Sequence, residues 1–321
     1  DMIMKAPSND IMNKIARGVL ASYSYDPDPE NRDVTNVMRQ CLELISRFST
    51  LAAYAYQAKL RYYDGKSMYI HNPVPELSTA ENFLRLIRFD GKYTKLEAQI
   101  LDLALILHAE HGGGNNSSLT VHVVSSADTD TYSAIAAAVG SLKGRRHGGA
   151  NIRVIEMMDD IKAHLKDWSD EKAIRAYLTK IATKKAFDKT GLIYGMGHAI
   201  YTISDPRAIL LNELAEKLAK EKGCLDEFKL YKTIERIAPE VLYSLHGNGK
   251  QICANVDFFS GFVYTMLGIP RELYTPLFAI SRVAGWSAHR IEEITTGGRI
   301  YRPAYKNVCP ERKYVPMDKR S

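Results

Sequence analysis

Cysteine is scarce and scattered: the chain holds four, Cys41, Cys224, Cys253 and Cys309, with no C-x-x-C pair among them. That spacing excludes a zinc ribbon and a dense disulfide framework, and a reducing compartment is expected. Long apolar runs are missing too. The most apolar stretch, Ile100 to Leu107, is interrupted by Asp102 and falls far short of the roughly 20 residues of a membrane-spanning helix. No secretory signal is legible, so the expected location is cytoplasmic and no membrane partner is expected. A basic block is also lacking: the formal net charge of +6 is spread along the sequence apart from Arg312-Lys313 and Lys319-Arg320, which argues against nucleic acid as the partner. No Pro-, Gly- or Ser-rich linker and no fixed-period repeat marks a domain boundary.

What is present is ordinary globular material, 45% apolar and 25% charged over 321 residues, enough for one large or two modest domains. Helix signals dominate. Ile11, Ile15, Val19 and Leu20 recur at helical spacing after Ser8, a candidate N-cap, and predict a helix from about Asn9 to Ser22. Beyond the break at Asp26-Pro-Asp-Pro29, a long helix is expected from about Val34 to Tyr63. Two capping boxes, Ser78 with Glu81 and Thr94 with Glu97, announce two more. Further helical stretches are read at Ser133 to Lys143, Ile152 to Leu165, Ala173 to Phe187, Ala208 to Leu218, Val256 to Leu267 and Pro276 to Ile294. The best strand pattern, Leu119 to Val124, fits a buried helix start equally well. The fold class read from these patterns is mainly α.

Four of nine histidines stand beside glycine: His111 in HAEHGGGNN, His147 in GRRHGGAN, His198 in GMGHAIYTISDPRA and His246 in LHGNG. Glycine frees the backbone and lets a ligand approach it closely, so such histidines are presented at a rim rather than inside a packed stripe. A helix C-terminus with the imidazole bonded to the last carbonyls is the plainer alternative for each. His108 and His111, one turn apart, have chelate spacing. Without H-E-x-x-H or a third ligand, however, no metal site is expected. The Gly112 to Gly114 run lacks the spacing and preceding strand of a phosphate loop.

The blocks HAEHGGGNNSS, SLKGRRHGGAN, YGMGHAIYTISDPRA and NVDFFSG stand in the order of the four signature blocks of citrate synthases. From about Ser8 to about Tyr305 the chain resembles that family, in a type II-like bacterial form without the family's usual N-terminal stretch. The resemblance implies an all-α, two-domain helical fold. A large domain, 1–148 with 257–321, would hold an inserted small domain, 149–256. It also implies condensation of acetyl-CoA with oxaloacetate and water to citrate and CoA, with no cofactor. Position by position, Asp257 would be the general base on the acetyl methyl group, and His147 the neutral donor to the thioester oxygen as it gains enolate character. His198 would polarise and protonate the oxaloacetate carbonyl. Arg207, Arg282 and Arg302 would hold the two carboxylates, Arg302 reaching in from the second subunit of a homodimer, with His111 and Asn115 as further oxaloacetate contacts. Lys250 would meet a CoA phosphate, and Gly195 and Gly197 would offer main-chain contacts to the thioester or adenine.

Each residue also has a purely structural reading. Arg207 would pair with Asp205, Arg282 would cap a helix, Arg302 would belong to a basic tail, and Asp257 would be an N-cap. Two departures from the family pattern stand out. Tyr201-Thr202-Ile203 occupies a place where many relatives carry basic residues, and Arg145-Arg146 precedes His147. Rival functions are 2-methylcitrate synthase acting on propionyl-CoA, a non-catalytic helical interaction protein, and a metal-dependent hydrolase built on His108 and His111.

Overall fold

The computed structural model describes residues 2–145, 147–197, 203–247 and 252–320, and of His246 the backbone alone. Among the described residues the chain is helical, and its one extended pairing is an isolated antiparallel bridge between Met196 and Ala254. The architecture is all-α, as the sequence patterns require.

A short α1 (Met2–Lys5) precedes α2 (Ile11–Ser22), which buries Ile11, Ile15 and Val19 as an i, i+4, i+8 stripe. The cap of α2 is Asp10, whose carboxylate accepts from Asn13 N at 2.7 Å; Ser8, the expected cap, instead accepts from Asp10 N. Asp33 caps α3 (Val34–Tyr62), which buries Val37, Cys41, Leu44, Phe48, Ala52 and Ala55 along one face. The two capping boxes form with both reciprocal bonds and open α4 (Thr79–Ile87) and α5 (Lys95–His108).

The ambiguous run at Leu119 to Val124 is helix, within α6 (Asn116–Ser125), and α7 (Thr131–Leu142) follows. Then come α8 (Ala150–His164), α9 (Glu171–Ala182), α10 (Pro206–Lys222) and α11 (Leu225–His246). Helix α9 stops five residues before the expected Phe187, where the chain turns left-handed at Lys184. Helix α11 is an addition to the sequence reading. It runs through Pro239, and buried Ile234, Ile237, Ala238 and Val241 hold it on α9 and α10 despite the missing backbone donor.

The last two long helices are α12 (Val256–Met266) and α13 (Tyr274–Thr296). Helix α13 is central, packing against α3, α5, α6 and α7. A helix buried on most sides needs apolar or small residues all round, and α13 supplies Leu277, Ala279, Ile280, Val283, Gly285 and Trp286. It starts two residues ahead of the expected Pro276, which the first turn tolerates. Helices α8 and α10 pack on α12, and α10 also meets α5. This packing gathers the N-terminal ends of α6, α8, α10 and α12 around one spot.

Candidate active site

That spot is a cavity of about 120 Å³, lined by His111, Asn115, His147, Arg207, Asp257 and Arg282 together with Asn255, Val256 and Phe278. Asn115 caps α6, Ala150 opens α8, Arg207 lies in the first turn of α10 and Asp257 in that of α12. Four helix N-termini bringing their positive dipole ends to one volume favour a bound anion. The volume equals about four liquid waters, room for a small dicarboxylate.

Asp257 is held by a chain of main-chain bonds. Asn255, not Asp257, caps α12, its side chain accepting from Asp257 N at 3.0 Å. The Asn255 amide in turn donates to Gly197 O at 2.9 Å, and its backbone N donates to Gly195 O at 2.9 Å. Gly197 N donates to Cys253 O at 2.7 Å. The two glycines expected to touch a ligand thus also brace the segment that carries the carboxylate. Gly195 has φ +80°, and a Cβ there would strike the Phe258 backbone and side chain within 3.0 Å, so glycine is required. Burial pushes the Asp257 carboxyl up to about 6, against the pull of Arg207 and Arg282 and with help from Asp205. A carboxylate in the first turn of a helix is ordinarily held low; here loss of solvent wins.

Asp205 organises the same corner. It is buried, caps α10 by accepting from Arg207 N at 3.0 Å, accepts from Val256 N at 3.1 Å, and grips the Arg207 guanidinium through Nε at 3.1 Å and Nη2 at 2.9 Å. The structural pairing of Arg207 with Asp205 is therefore real, and Arg207 lines the cavity as well. Arg282 combines two roles in the same way. Its Nε donates to His108 O at 2.6 Å, closing the end of α5, while its buried Nη1 has no hydrogen-bond partner among the described residues. Burial lowers this guanidinium to about 10 even with Glu110 and Asp257 nearby. A buried cation with an unused donor on a cavity wall calls for an anionic ligand.

His147 lies between α7 and α8, where Gly148 lets the loop press against Leu142 O; a Cβ there would overlap that oxygen. Its Nε2 is 3.0 Å from Ser117 Oγ. The same hydroxyl accepts the Trp286 indole N–H at 3.0 Å and lies 2.9 Å from Asn115 Oδ1. Burial first, then Arg282 and His111, lowers the His147 pKa, so the ring is neutral. His111 is lowered for similar reasons, burial leading, with Arg207 and Arg282 opposing a second charge. Its backbone N donates to Glu110 Oε1 at 2.8 Å.

Six expected residues thus meet at one cavity. Arg302 lies on the exposed tail, outside its own chain's cavity. His198 and Lys250 lie outside the described residues. His108 and His111 part company: His108 ends α5 fully buried, its ring stacked on Phe278 at 3.8 Å between centroids, while His111 follows in the loop. The sequence reading missed Ser117, Trp286 and Asn255, and saw Asp205 only as a partner for Arg207. Asn before an apolar run and Asp-Pro at a helix start were available signals for Asn255 and Asp205. The Ser117–Trp286 contact has no local signal at all.

Residues 1–304 match the family model described as "Citrate synthase, C-terminal domain". A citrate synthase of Synechocystis sp. is 38% identical over 249 residues, 77% of this chain and 58% of that protein. One of Deinococcus radiodurans is 36% identical over 296 residues, 91% of this chain and 72% of that protein. A 2-methylcitrate synthase of Shewanella oneidensis is 35% identical over 280 residues, covering 87% and 67%. Among solved structures, the citrate synthase of Thermoplasma acidophilum, in ternary complex with carboxymethyl coenzyme A and oxaloacetate, superposes with a TM-score of 0.80 at 31% identity, covering 99% of this chain and 78% of that one. Sequence and fold agree that the chain belongs to the citrate synthase family, an enzyme family of the acyltransferase type.

Proposed function

We propose that the protein condenses acetyl-CoA with oxaloacetate and water to give citrate and CoA. The observation that carries this reading is Asp257: a carboxyl raised to about 6 shares one cavity with a neutral imidazole and a buried guanidinium that has a donor to spare. A thioester methyl group is a very weak acid. Its proton leaves only if a base stronger than an ordinary carboxylate takes it while a donor meets the charge growing on the thioester oxygen. Asp257 takes the proton and His147 supplies the hydrogen bond.

The Ser117 hydroxyl has one proton and two neighbours that want it. If it donates to His147 Nε2, the ring proton sits on Nδ1, the tautomer with an N–H left for the substrate; if it donates to Asn115, Nε2 must donate back. The Trp286 N–H occupies one lone pair of Ser117 in either case. The resulting carbon nucleophile attacks the oxaloacetate ketone, with His198 as the group that polarises and protonates it, and water then cleaves the citryl thioester. The two carboxylates of oxaloacetate suit Arg207, Arg282, His111 and Asn115 beneath the four helix ends, with Arg302 supplied by a second copy in a homodimer. Lys250, Gly195 and Gly197 serve the CoA side. The cavity draws on both proposed domains, Ala150, Arg207, Asn255 and Val256 from 149–256 and the remainder from 1–148 and 257–321. Closure of one on the other would exclude water before the proton moves. The setting expected for this chemistry is the reducing cytoplasm.

Free CoA thiol released only when acetyl-CoA and oxaloacetate are both present supports the reading. Faster release from propionyl-CoA would assign 2-methylcitrate synthesis, the activity named for one similar protein; no release from either would overturn both.

A further inference from the structure

A second cluster of chemistry-bearing side chains lies behind the His111 loop, where α6 meets α13. His122 of α6 faces His289 and Glu292 of α13, with His122 Nε2 3.0 Å from His289 Nδ1, His289 Nδ1 3.2 Å from Glu292 Oε2, and His122 Nε2 3.8 Å from Glu292 Oε2. The outer nitrogen of each ring faces a different carboxylate. His122 Nδ1 is 2.7 Å from Glu293 Oε2, itself held by the Tyr301 hydroxyl at 2.9 Å, and His289 Nε2 is 3.1 Å from Glu110 Oε1.

A carboxylate oxygen accepts, so each outer nitrogen carries its ring's proton. The two inner nitrogens then turn lone pairs towards each other and towards Glu292 Oε2. Three acceptors meet with no donor among them unless one ring binds a second proton, and a metal cation satisfies all three at once. The triangle has the size such an ion needs: a tetrahedral ion with ligands at about 2.0–2.1 Å separates them by about 3.3–3.4 Å, the middle of the observed range. Imidazole ligands whose other nitrogen donates to a carboxylate are the usual arrangement around zinc.

We propose that His122, His289 and Glu292 form a binding site for one divalent cation of the zinc class. Two imidazoles and a carboxylate provide three corners, and the exposed side of Glu292 leaves the fourth to water. This site is separate from the His108–His111 pair weighed in the sequence, and it does not depend on the proposed reaction. The ion cross-braces α6 and α13 beneath the loop that carries His111. A Cβ built on Gly113 would lie 3.5 Å from His289 Cε1 and 3.6 Å from His122 Nε2, so the loop passes directly over the imidazoles. Glu110, on the far nitrogen of His289, accepts from the backbone amides of His111 and Gly112.

The test is titration of chelator-treated, full-length protein with Co²⁺, followed by its visible ligand-field bands, and with Zn²⁺, followed by thermal unfolding. One equivalent of four-coordinate Co²⁺ per chain is expected, lost in His122→Gln, with affinity reduced about 10- to 100-fold in Glu293→Gln. Zn²⁺ should raise Tm in the wild type and not in His122→Gln. Glu292→Gln, at an exposed side chain where folding is not at risk, should weaken binding at least about tenfold by the same readouts. Absence of a bound equivalent in the wild type would show that a proton alone fills the triangle. Binding unchanged in both His122→Gln and Glu292→Gln would place the ion elsewhere. Either result overturns the site.

Discussion

Asp257 sits in the first turn of a helix and beside two arginines, yet its carboxyl titrates near 6, because loss of solvent outweighs those attractions. The cost of that placement is measurable. A carboxyl whose folded pKa lies above its unfolded value binds its proton more tightly in the folded state, so stability falls as pH rises from about 4 through 6. Asp257→Asn is therefore expected to unfold at higher temperature than the wild type above pH 6, by the equivalent of on the order of 2–3 kcal/mol at most, while losing activity. Calorimetry of the two proteins at neutral pH checks the sign. In the proposed reaction Ser117 would act one hydrogen bond away from the chemistry, through His147. Ser117→Ala removes the hydroxyl that faces His147 Nε2 and, if the proposed reaction holds, should lower kcat more than it raises KM for oxaloacetate. The loss should be smaller than the roughly 10²–10³-fold expected when a direct oxyanion donor is removed. Steady-state kinetics of Ser117→Ala beside His147→Ala decides it. His111, Asn115, His147, Arg207 and Asp257 were legible because each stands inside a short distinctive block. Ser117 and Trp286 were not: their contact joins residues 169 apart and exists only once α6 and α13 have packed.

Among the helices, those with a cap and an apolar stripe were read to within a few residues. The capping boxes at Ser78 and Thr94 are the clearest cases, since the residues that satisfy the helix start are adjacent in sequence. Helix α11 escaped because Pro239 reads as a breaker and its apolar face gains its support from α9 and α10, which no local pattern reports. The Thr94 box also does more than start α5. Glu97 accepts from Thr94 N at 2.8 Å, from Arg88 at 2.8 and 3.2 Å, and from Lys222 of α10 at 2.6 Å, and Arg88 reaches Leu267 O at 2.6 Å. Burial alone would raise this carboxyl, but Arg88, Lys222 and the Thr94 amide outweigh it and hold it at about 2. Its contribution to stability is complete above the ordinary glutamate range and disappears as pH falls from about 4.5 through 2. Glu97→Gln should cost about 2 kcal/mol at neutral pH, discounted from the 3–5 kcal/mol of a fully buried pair because Lys222 is a third exposed, and the deficit should vanish in acid. Denaturant titrations at two pH values measure both.

At the scale of the whole molecule, the cavity draws on separated stretches of the chain, so that Asp257 and His147, the proposed base and donor, stand over 100 positions apart in sequence. The tail beyond α13 is mostly irregular and exposed: Tyr305, Val308 and Met317 are more than four-fifths accessible, and Arg302 is on the same stretch. That is the disposition expected of a segment that completes a neighbour's site. If Arg302 acts across subunits, separately inactive Arg302→Ala and Asp257→Asn proteins should regain activity when dissociated, mixed and reassembled, because one site of each mixed dimer then holds both groups. No recovery after verified exchange would confine Arg302 to its own chain or to no catalytic role.

The proposed reaction begins with Asp257 taking the proton from the acyl methyl group. The most direct test is the pH dependence of kcat/KM for acetyl-CoA at saturating oxaloacetate, in the wild type and in Asp257→Asn. An acid limb near pH 6 is expected in the wild type, with a loss of about 10²- to 10⁴-fold in the variant across the whole profile. Activity in Asp257→Asn within tenfold of wild type, with the same acid limb, would contradict it.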